Sequence, residues 1–276
     1  RFSRYGLLAY ASSFDQIGPI SKSMSDMQLV MEIIAGKDEN DATSSSKPVE
    51  KYTQTPAVEK RKIAYIKECL YHEGIDPEVQ KATIATIEKL KQQGHEVSEV
   101  SFPYLDFLVP VYYVLTTAEA SSNLSRFSGL MYGHRSTSAT DLESTFRKSR
   151  SEGFGAEVKR RIMLGTFVLS AGSYEAYYTK AQQVRRLVQD KTNEIFASFD
   201  FILSPTTPST AFKFGEKSDN PIAMYLADIF TVHANISGNP AISVPMGMHS
   251  NGMPMGVQLM AKHYADGEMM QLASTI

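Results

Sequence analysis

The chain has 276 residues, 42% hydrophobic and 21% charged, a balance that excludes extended disorder and leaves length enough to bury a sizeable core as one large domain. A net charge of −2 argues against a protein whose main work is gripping nucleic acid, because counterion release needs a basic surface. The single cysteine, Cys69, has no partner for an internal disulfide, which fits a reducing compartment, and no apolar run reaches the roughly 18 residues needed to span a bilayer.

In chain order, residues 1–20 read as loop with a short strand at 7–10 and a turn at Gly18-Pro19. Residues 23–35 read as a helix, capped by Ser23 or Ser25, striped by Met27, Val30, Met31 and Ile34, and stopped by Gly36. Residues 37–55, with Ser44-Ser45-Ser46, read as a surface loop. Residues 62–66 form a short apolar strand. Residues 76–94 are the clearest amphipathic helix, with Pro77 in the first turn, Val79, Ile84, Ile87 and Leu90 at helical spacing, and Gly94 at the end. Residues 95–102 alternate as a strand does, and 106–123 are helical and apolar despite Pro110.

The Ser-, Thr- and Gly-rich residues 125–150 read as a long loop with room for one short helix. Helices are expected at 154–170 and 174–197, a buried strand at 201–203, and a rigid run at Ser204-Pro205-Thr206-Thr207-Pro208. A helix at 222–234, strands at 241–246 and 256–261 joined by an Asn251-Gly252 turn, and a last helix from Asp266 complete the layout. Strands alternating with helices imply an α/β fold whose sheet has parallel portions. The sequence opens without Met in structured-looking sequence and stops as abruptly, so we read residues 1–276 as part of a larger single domain. No secretory leader is recognisable at the start, so the expected location is the cytoplasm, or the matrix of an organelle in a eukaryote.

Several chemistries lack their signatures. There is no GxxxxGK[ST] or strand-following GxGxxG, no GxSxG elbow, and the six histidines are scattered, so neither a nucleotide cofactor nor a metal is expected in this chain. Two charged residues stand out by their surroundings. In 154–170, Val158, Ile162, Gly165 and Leu169 share a face that also carries Arg161, while Lys159 and Arg160 point elsewhere. An arginine there either snorkels at the edge of an apolar stripe, pairs with a structural carboxylate, or reaches a bound anion. Asp228 is the only formally charged residue between Pro221 and Asn235, among Met224, Tyr225, Leu226, Ile229 and Phe230. Such a carboxylate needs a donor or cation, in a structural hydrogen bond or at a ligand. Together, Arg161 and Asp228 are what a zwitterionic amino acid requires: a guanidinium for the α-carboxylate and a carboxylate for the α-ammonium. Tyr112 adds a hydroxyl from 106–123, where a tyrosine also serves as core.

Arg4-Tyr5-Gly6-Leu7 and Ala11-Ser12-Ser13-Phe14-Asp15-Gln16-Ile17-Gly18-Pro19-Ile20 resemble the stretch that follows the nucleophile region in the amidase-signature family. Glu119-Ala120-Ser121-Ser122-Asn123-Leu124-Ser125-Arg126-Phe127, Ser149-Arg150-Ser151-Glu152-Gly153-Phe154-Gly155 and Val158-Lys159-Arg160-Arg161-Ile162 are similar to one branch of it. That branch is the A subunit of the glutamyl-tRNA(Gln) amidotransferase. Pro205-Thr206-Thr207-Pro208, Asn235-Ile236-Ser237-Gly238-Asn239-Pro240 and Pro254-Met255-Gly256-Val257-Gln258 continue the resemblance over nearly the whole chain.

The resemblance implies a mixed sheet covered by helices on both faces. It also implies a glutaminase that releases ammonia from glutamine for the ligase reaction of the complex. The partners it implies are subunits B and C. The larger of them, B, uses ATP and Mg to convert Glu-tRNA(Gln) to Gln-tRNA(Gln), and the small C clasps the pair. The family's Lys, cis-serine and nucleophilic serine would all lie before Arg1, so this stretch is expected to be inactive alone. The family's glutamine-binding Tyr, Arg and Asp match Tyr112 (with Tyr113 adjacent), Arg161 and Asp228. Two rival readings are another amidase-signature amide hydrolase and a chain that serves only as a docking surface for subunits B and C. The locally basic stretch 147–186 reads as a solvated helix face or as a contact with tRNA.

Overall fold

The structure is a computed structural model that describes residues 1–54, 56, 59–216, 224 and 226–276. Among the described residues, the α-helices and strands are α1 (Met24–Ile34), β1 (Lys62–Ile66), α2 (Lys67–Leu70), α3 (Pro77–Gln92), β2 (Glu96–Val100), α4 (Leu105–Leu124) and α5 (Leu142–Gly153). They continue with α6 (Ala156–Val168), α7 (Lys180–Ser198), β3 (Phe201–Pro205), α8 (Val232–Ser237), β4 (Ala241–Met248), β5 (Pro254–Ala261) and α9 (Asp266–Ala273). They fall into two compact units, the first formed by Arg1–Tyr5, Gln16–Val109 and Arg185–Ile276, the second by Gly6–Asp15 and Pro110–Val184.

The first unit is built on a five-stranded mixed sheet in the order β2-β1-β3-β5-β4. β1 runs parallel to both β2 and β3, while β5 runs antiparallel to β3 and β4. Every residue of β3 is buried, so both faces of this central strand are covered. Ile63, Phe201, Leu203, Val257 and Leu259 pack with Ile87 and Leu90 of α3 and with Met269 and Leu272 of α9. The β4–β5 connection closes on the Asn251-Gly252 turn, where Gly252 takes a φ of 82° that a side chain would resist.

The expected signals at Ser23, Pro77 and Gly94 hold, and Asp76, read as the first residue of its helix, is the cap of α3. Asp76 accepts the N–H groups of Glu78 and Val79 at the start of α3, Pro77 occupies its first turn, and Gly94 follows it at a φ of 93°. Ser23 caps α1 through the N–H of Asp26. Two buried faces are shifted from the sequence reading. On α3 the inward position falls to Thr83, whose hydroxyl bonds back to the Val79 carbonyl, and Ile84 is exposed. On α1 Gln28 and Met31 are buried, while Val30 and Ile34 are exposed.

The surface loop over 37–55 is anchored more tightly than its composition suggests. Asp41 accepts the Thr43 hydroxyl and N–H and the N–H of Arg4, and these bonds, the hydroxyl foremost, lower its pKa to about 2. Tyr52 is fully buried beside Met31 and Met270. The strand expected at 7–10 is absent, and that segment is irregular.

The second unit corrects the reading of 125–150. The loop ends at Asp141, and a 12-residue helix, α5, follows it. Asp141 and Ser144 form a reciprocal capping box. The buried residues of α5 are Ser144, Thr145 and Ser149, so hydrophobic periodicity had nothing to register. Arg150 of α5 donates to the carbonyls of Leu124 at 2.7 Å and Phe127 at 3.2 Å, satisfying acceptors at the C-terminus of α4. The helix expected over 154–170 is α6, and its inward stripe ends at Val168 rather than at the exposed Leu169.

At Gly165 the backbone of α6 lies directly against α4. A Cβ there would sit 1.9 Å from the Thr117 carbonyl oxygen and 2.7 Å from the Ser121 Cβ, while Thr166 and Ser121 share a hydroxyl bond of 2.9 Å beside it. Gly165→Ala must therefore push the two helices apart, costing about 1–3 kcal/mol. Chemical denaturation should show that loss, with Gly172→Ala, where a Cβ meets nothing within 4 Å, as the control.

His233 of α8 is buried in the first unit, its Nε2 2.8 Å from the Thr192 hydroxyl and its ring 4.4 Å from that of Phe102. Desolvation lowers its pKa from 6.5 to about 4. Between those values the unfolded chain binds the proton and the folded chain does not. Stability should therefore fall as the pH drops from 6.5 towards 4, by at most about 3 kcal/mol, and level off below. Denaturation midpoints measured across this range should show the slope in the native sequence and a shallower one in His233→Gln, where His95, also lowered by burial, still contributes.

Candidate functional site

The second unit concentrates its chemistry around Arg161. Its position on α6 follows from helical spacing, since Val158, Ile162, Gly165 and Val168 take the same inward side. The side chain keeps 29% of its exposure, so its charge is largely withdrawn from water. Glu157, one turn earlier, accepts from Nε at 2.9 Å. The Tyr10 hydroxyl accepts from Nη1 at 3.0 Å. The rings of Tyr10 and Tyr113 also face the guanidinium, with centroids 5.4 and 5.6 Å from Cζ. Burial alone would pull the Arg161 pKa down, but the Glu157 carboxylate and the Tyr10 hydroxyl outweigh it and hold the charged form more firmly than usual.

Tyr10 sits on a segment fastened to α4. The Asp15 carboxylate accepts the N–H groups of Tyr10 at 2.9 Å and Ala11 at 3.1 Å. Glu119 accepts the N–H of Ser13 at 2.8 Å, and the Asn123 amide donates to the Tyr10 carbonyl at 3.2 Å. Ala11 and Phe14 are buried. Residues 10–15, which in the sequence carry only a family likeness, thus form a small clamp whose product is the placement of one phenol.

The structure brings Arg161 together with Tyr113 and Tyr10. Tyr112 is one ring further away, edge-on to Tyr113 at 5.4 Å and to Phe14 at 5.6 Å. Asp228 belongs to the first unit. The helix expected over 222–234 falls partly outside the described residues. Within them, Met224 and Leu226 are helical, Ala227–Thr231 form a turn, and α8 follows. Asp228 is exposed rather than enclosed in an apolar helix, because Ile229 and Phe230 take the buried positions beside it. The turn is fixed from below: the buried Gln258 of β5 donates its amide to the Phe230 carbonyl at 3.2 Å. The Asp228 carbonyl accepts the N–H groups of Thr231 and Val232.

Tyr10, Gln258 and Thr116, whose Oγ1 accepts from the Tyr10 hydroxyl at 3.3 Å, had no mark in the sequence as builders of the candidate site. Tyr10 lies 151 positions from Arg161, and no local pattern links them. Glu157 was within reach, since a carboxylate four residues before an arginine on a helix is a readable pair. Among the described residues, no group of three or more His, Cys, Asp or Glu is placed to hold a metal ion.

The amidase family model matches residues 1–270. With the mixed sheet and its helices, this makes the chain a member of the amidase family. Within that family it is similar to the A subunit of glutamyl-tRNA(Gln) amidotransferase from Koribacter versatilis, with 52% identity over 100% of this chain and 58% of the relative. The protein of the same description from Brevibacillus brevis is 51% identical over 99% of this chain and 56% of its own length. The crystal structure of the A subunit of glutamyl-tRNA(Gln) amidotransferase from Thermotoga maritima superposes with a TM-score of 0.78 at 42% identity, covering 100% of this chain and 55% of that one. A 6-aminohexanoate cyclic dimer hydrolase, 18% identical with a TM-score of 0.70 over 92% of this chain and 53% of its own, shares the fold. The chain spans a little over half the length of the curated relatives it matches.

Proposed function

We propose that this chain supplies the glutamine-holding part of the A subunit of an amidotransferase, which releases ammonia for the conversion of Glu-tRNA(Gln) to Gln-tRNA(Gln). The observation that carries the reading is the guanidinium of Arg161, kept charged in a half-buried nest of Tyr10, Tyr113 and Glu157. Neither Glu157 nor Tyr10 engages Nη2, so the Nη1–Nη2 edge is suited to a planar carboxylate. Identity of about half to proteins described as this amidotransferase's A subunit supports glutamine as the donor of that carboxylate.

In this reading Arg161 takes the α-carboxylate, Asp228 the α-ammonium, and Tyr112 or its neighbour Tyr113 adds a hydroxyl. The side-chain amide is thereby presented to the Lys/Ser/Ser triad that the family resemblance implies before Arg1. The serine attacks the amide carbon, ammonia leaves, and water hydrolyses the acyl-enzyme to glutamate. The residues of this chain hold the substrate in register for that attack, which raises its effective concentration at the nucleophile. Subunits B and C are the proposed partners, with ATP and Mg acting at the former, and the proposed location is the cytoplasm or an organellar matrix. Among the described residues no helix is long and apolar enough to cross a membrane.

Arg161→Ala in the intact protein should lower kcat/KM for glutamine by about a hundredfold, chiefly through KM, because it removes a charge-assisted pair worth about 2–3 kcal/mol. Steady-state glutaminase kinetics check this; unchanged constants would return Arg161 to a structural role. A polypeptide limited to residues 1–276 should release no ammonia from glutamine, and measurable turnover by it would refute the placement of the triad.

A further inference from the structure

We propose that Tyr10 is a positioning residue that sets the plane of the Arg161 guanidinium for a substrate carboxylate, a role that rests on the reading of Arg161 as the carboxylate holder. Three observations carry it. The Tyr10 hydroxyl donates to Thr116 Oγ1 at 3.3 Å, and Thr116 is fully buried on α4. A phenol has one proton; with that proton committed to Thr116, an oxygen lone pair faces the guanidinium and accepts Nη1–H at 3.0 Å. The segment carrying Tyr10 is itself clamped by Asp15, Glu119 and Asn123, so the phenol is a fixed point rather than a swinging side chain.

The geometry explains why two anchors are needed. Glu157 holds Nε from the same helix, which leaves the guanidinium free to rotate about the bonds leading to Nε. Tyr10 holds Nη1 from a different segment and removes that freedom. A bidentate carboxylate contact depends on the plane of the fork as well as on its charge. Tyr10 therefore acts through Arg161, without touching substrate, and favours substrates that carry an α-carboxylate.

The test is steady-state glutaminase kinetics on the intact protein with Tyr10→Phe, Arg161→Ala and the double variant. Tyr10→Phe keeps the ring and removes the hydroxyl. It should raise KM for glutamine about tenfold with kcat within about twofold. In the Arg161→Ala background the same change should add nothing. Thr116→Val, which frees the phenol proton to turn toward the guanidinium, should raise KM in the same direction and serves as the second variant if Tyr10→Phe does not fold. If Arg161→Ala raises KM while Tyr10→Phe and Thr116→Val leave it unchanged, or if the Tyr10 and Arg161 effects simply add, the positioning role is overturned and the reading of Arg161 stands. If Arg161→Ala itself leaves KM unchanged, the reading of the site falls and the role of Tyr10 falls with it.

Discussion

A guanidinium withdrawn from water must be re-solvated by the protein around it, and the second unit is arranged to do this for Arg161. Leaving such a charge unpaired would cost several kcal/mol. One carboxylate, one phenol oxygen and two aromatic faces meet the requirement. Each has its own support. Glu157 is delivered by helical spacing, Tyr113 by α4, and Tyr10 by a segment that α4 grips through Glu119 and Asn123. The close crossing at Gly165 brings α6 against α4 and so sets the distance between Arg161 and the tyrosine beside it. A charge in the middle of a helix thus depends on a clamp 151 residues away in sequence and on the glycine that the crossing needs.

The first unit solves a different problem, that of holding a turn rigid at the surface. Asp228 is exposed, but its neighbours Ile229 and Phe230 are driven into the core, and the amide of Gln258 ties the Phe230 carbonyl to β5. A buried glutamine amide in a sheet is costly unless it is bonded. This one bonds to the turn and to Ser204 Oγ at 3.4 Å, which joins β3, β5 and the turn through a single side chain. The carboxylate thereby sits on a backbone whose position is set by the sheet.

Much of the fold could be read from residues alone, for a physical reason. β1 and β3 are short apolar runs, β2 alternates polar and apolar residues, β4 and β5 meet at Asn251-Gly252, and Ser23 and Pro77 mark the starts of α1 and α3 in the sequence. What escaped was structure held together by polar contacts. α5 buries Ser144, Thr145 and Ser149, and the segment 10–15 is an array of side-chain-to-backbone bonds. Neither has an apolar period. Of the candidate site, Arg161 stood out because a charge on an apolar stripe is anomalous, whereas the burial inferred for Asp228 was wrong because its apolar neighbours are buried without it. Tyr10 could not be found, since nothing local marks a tyrosine as the partner of a distant arginine.

The role proposed for the Arg161 fork is to hold the α-carboxylate of glutamine. A crystal structure of the intact protein with glutamine bound, its nucleophile replaced to prevent turnover, tests this most directly. Both carboxylate oxygens should lie within about 3 Å of the guanidinium nitrogens, with Tyr10 still bonded to Nη1. Glutamine bound with its α-carboxylate on any other cation, and Arg161 still turned to Glu157 and Tyr10 alone, would contradict it.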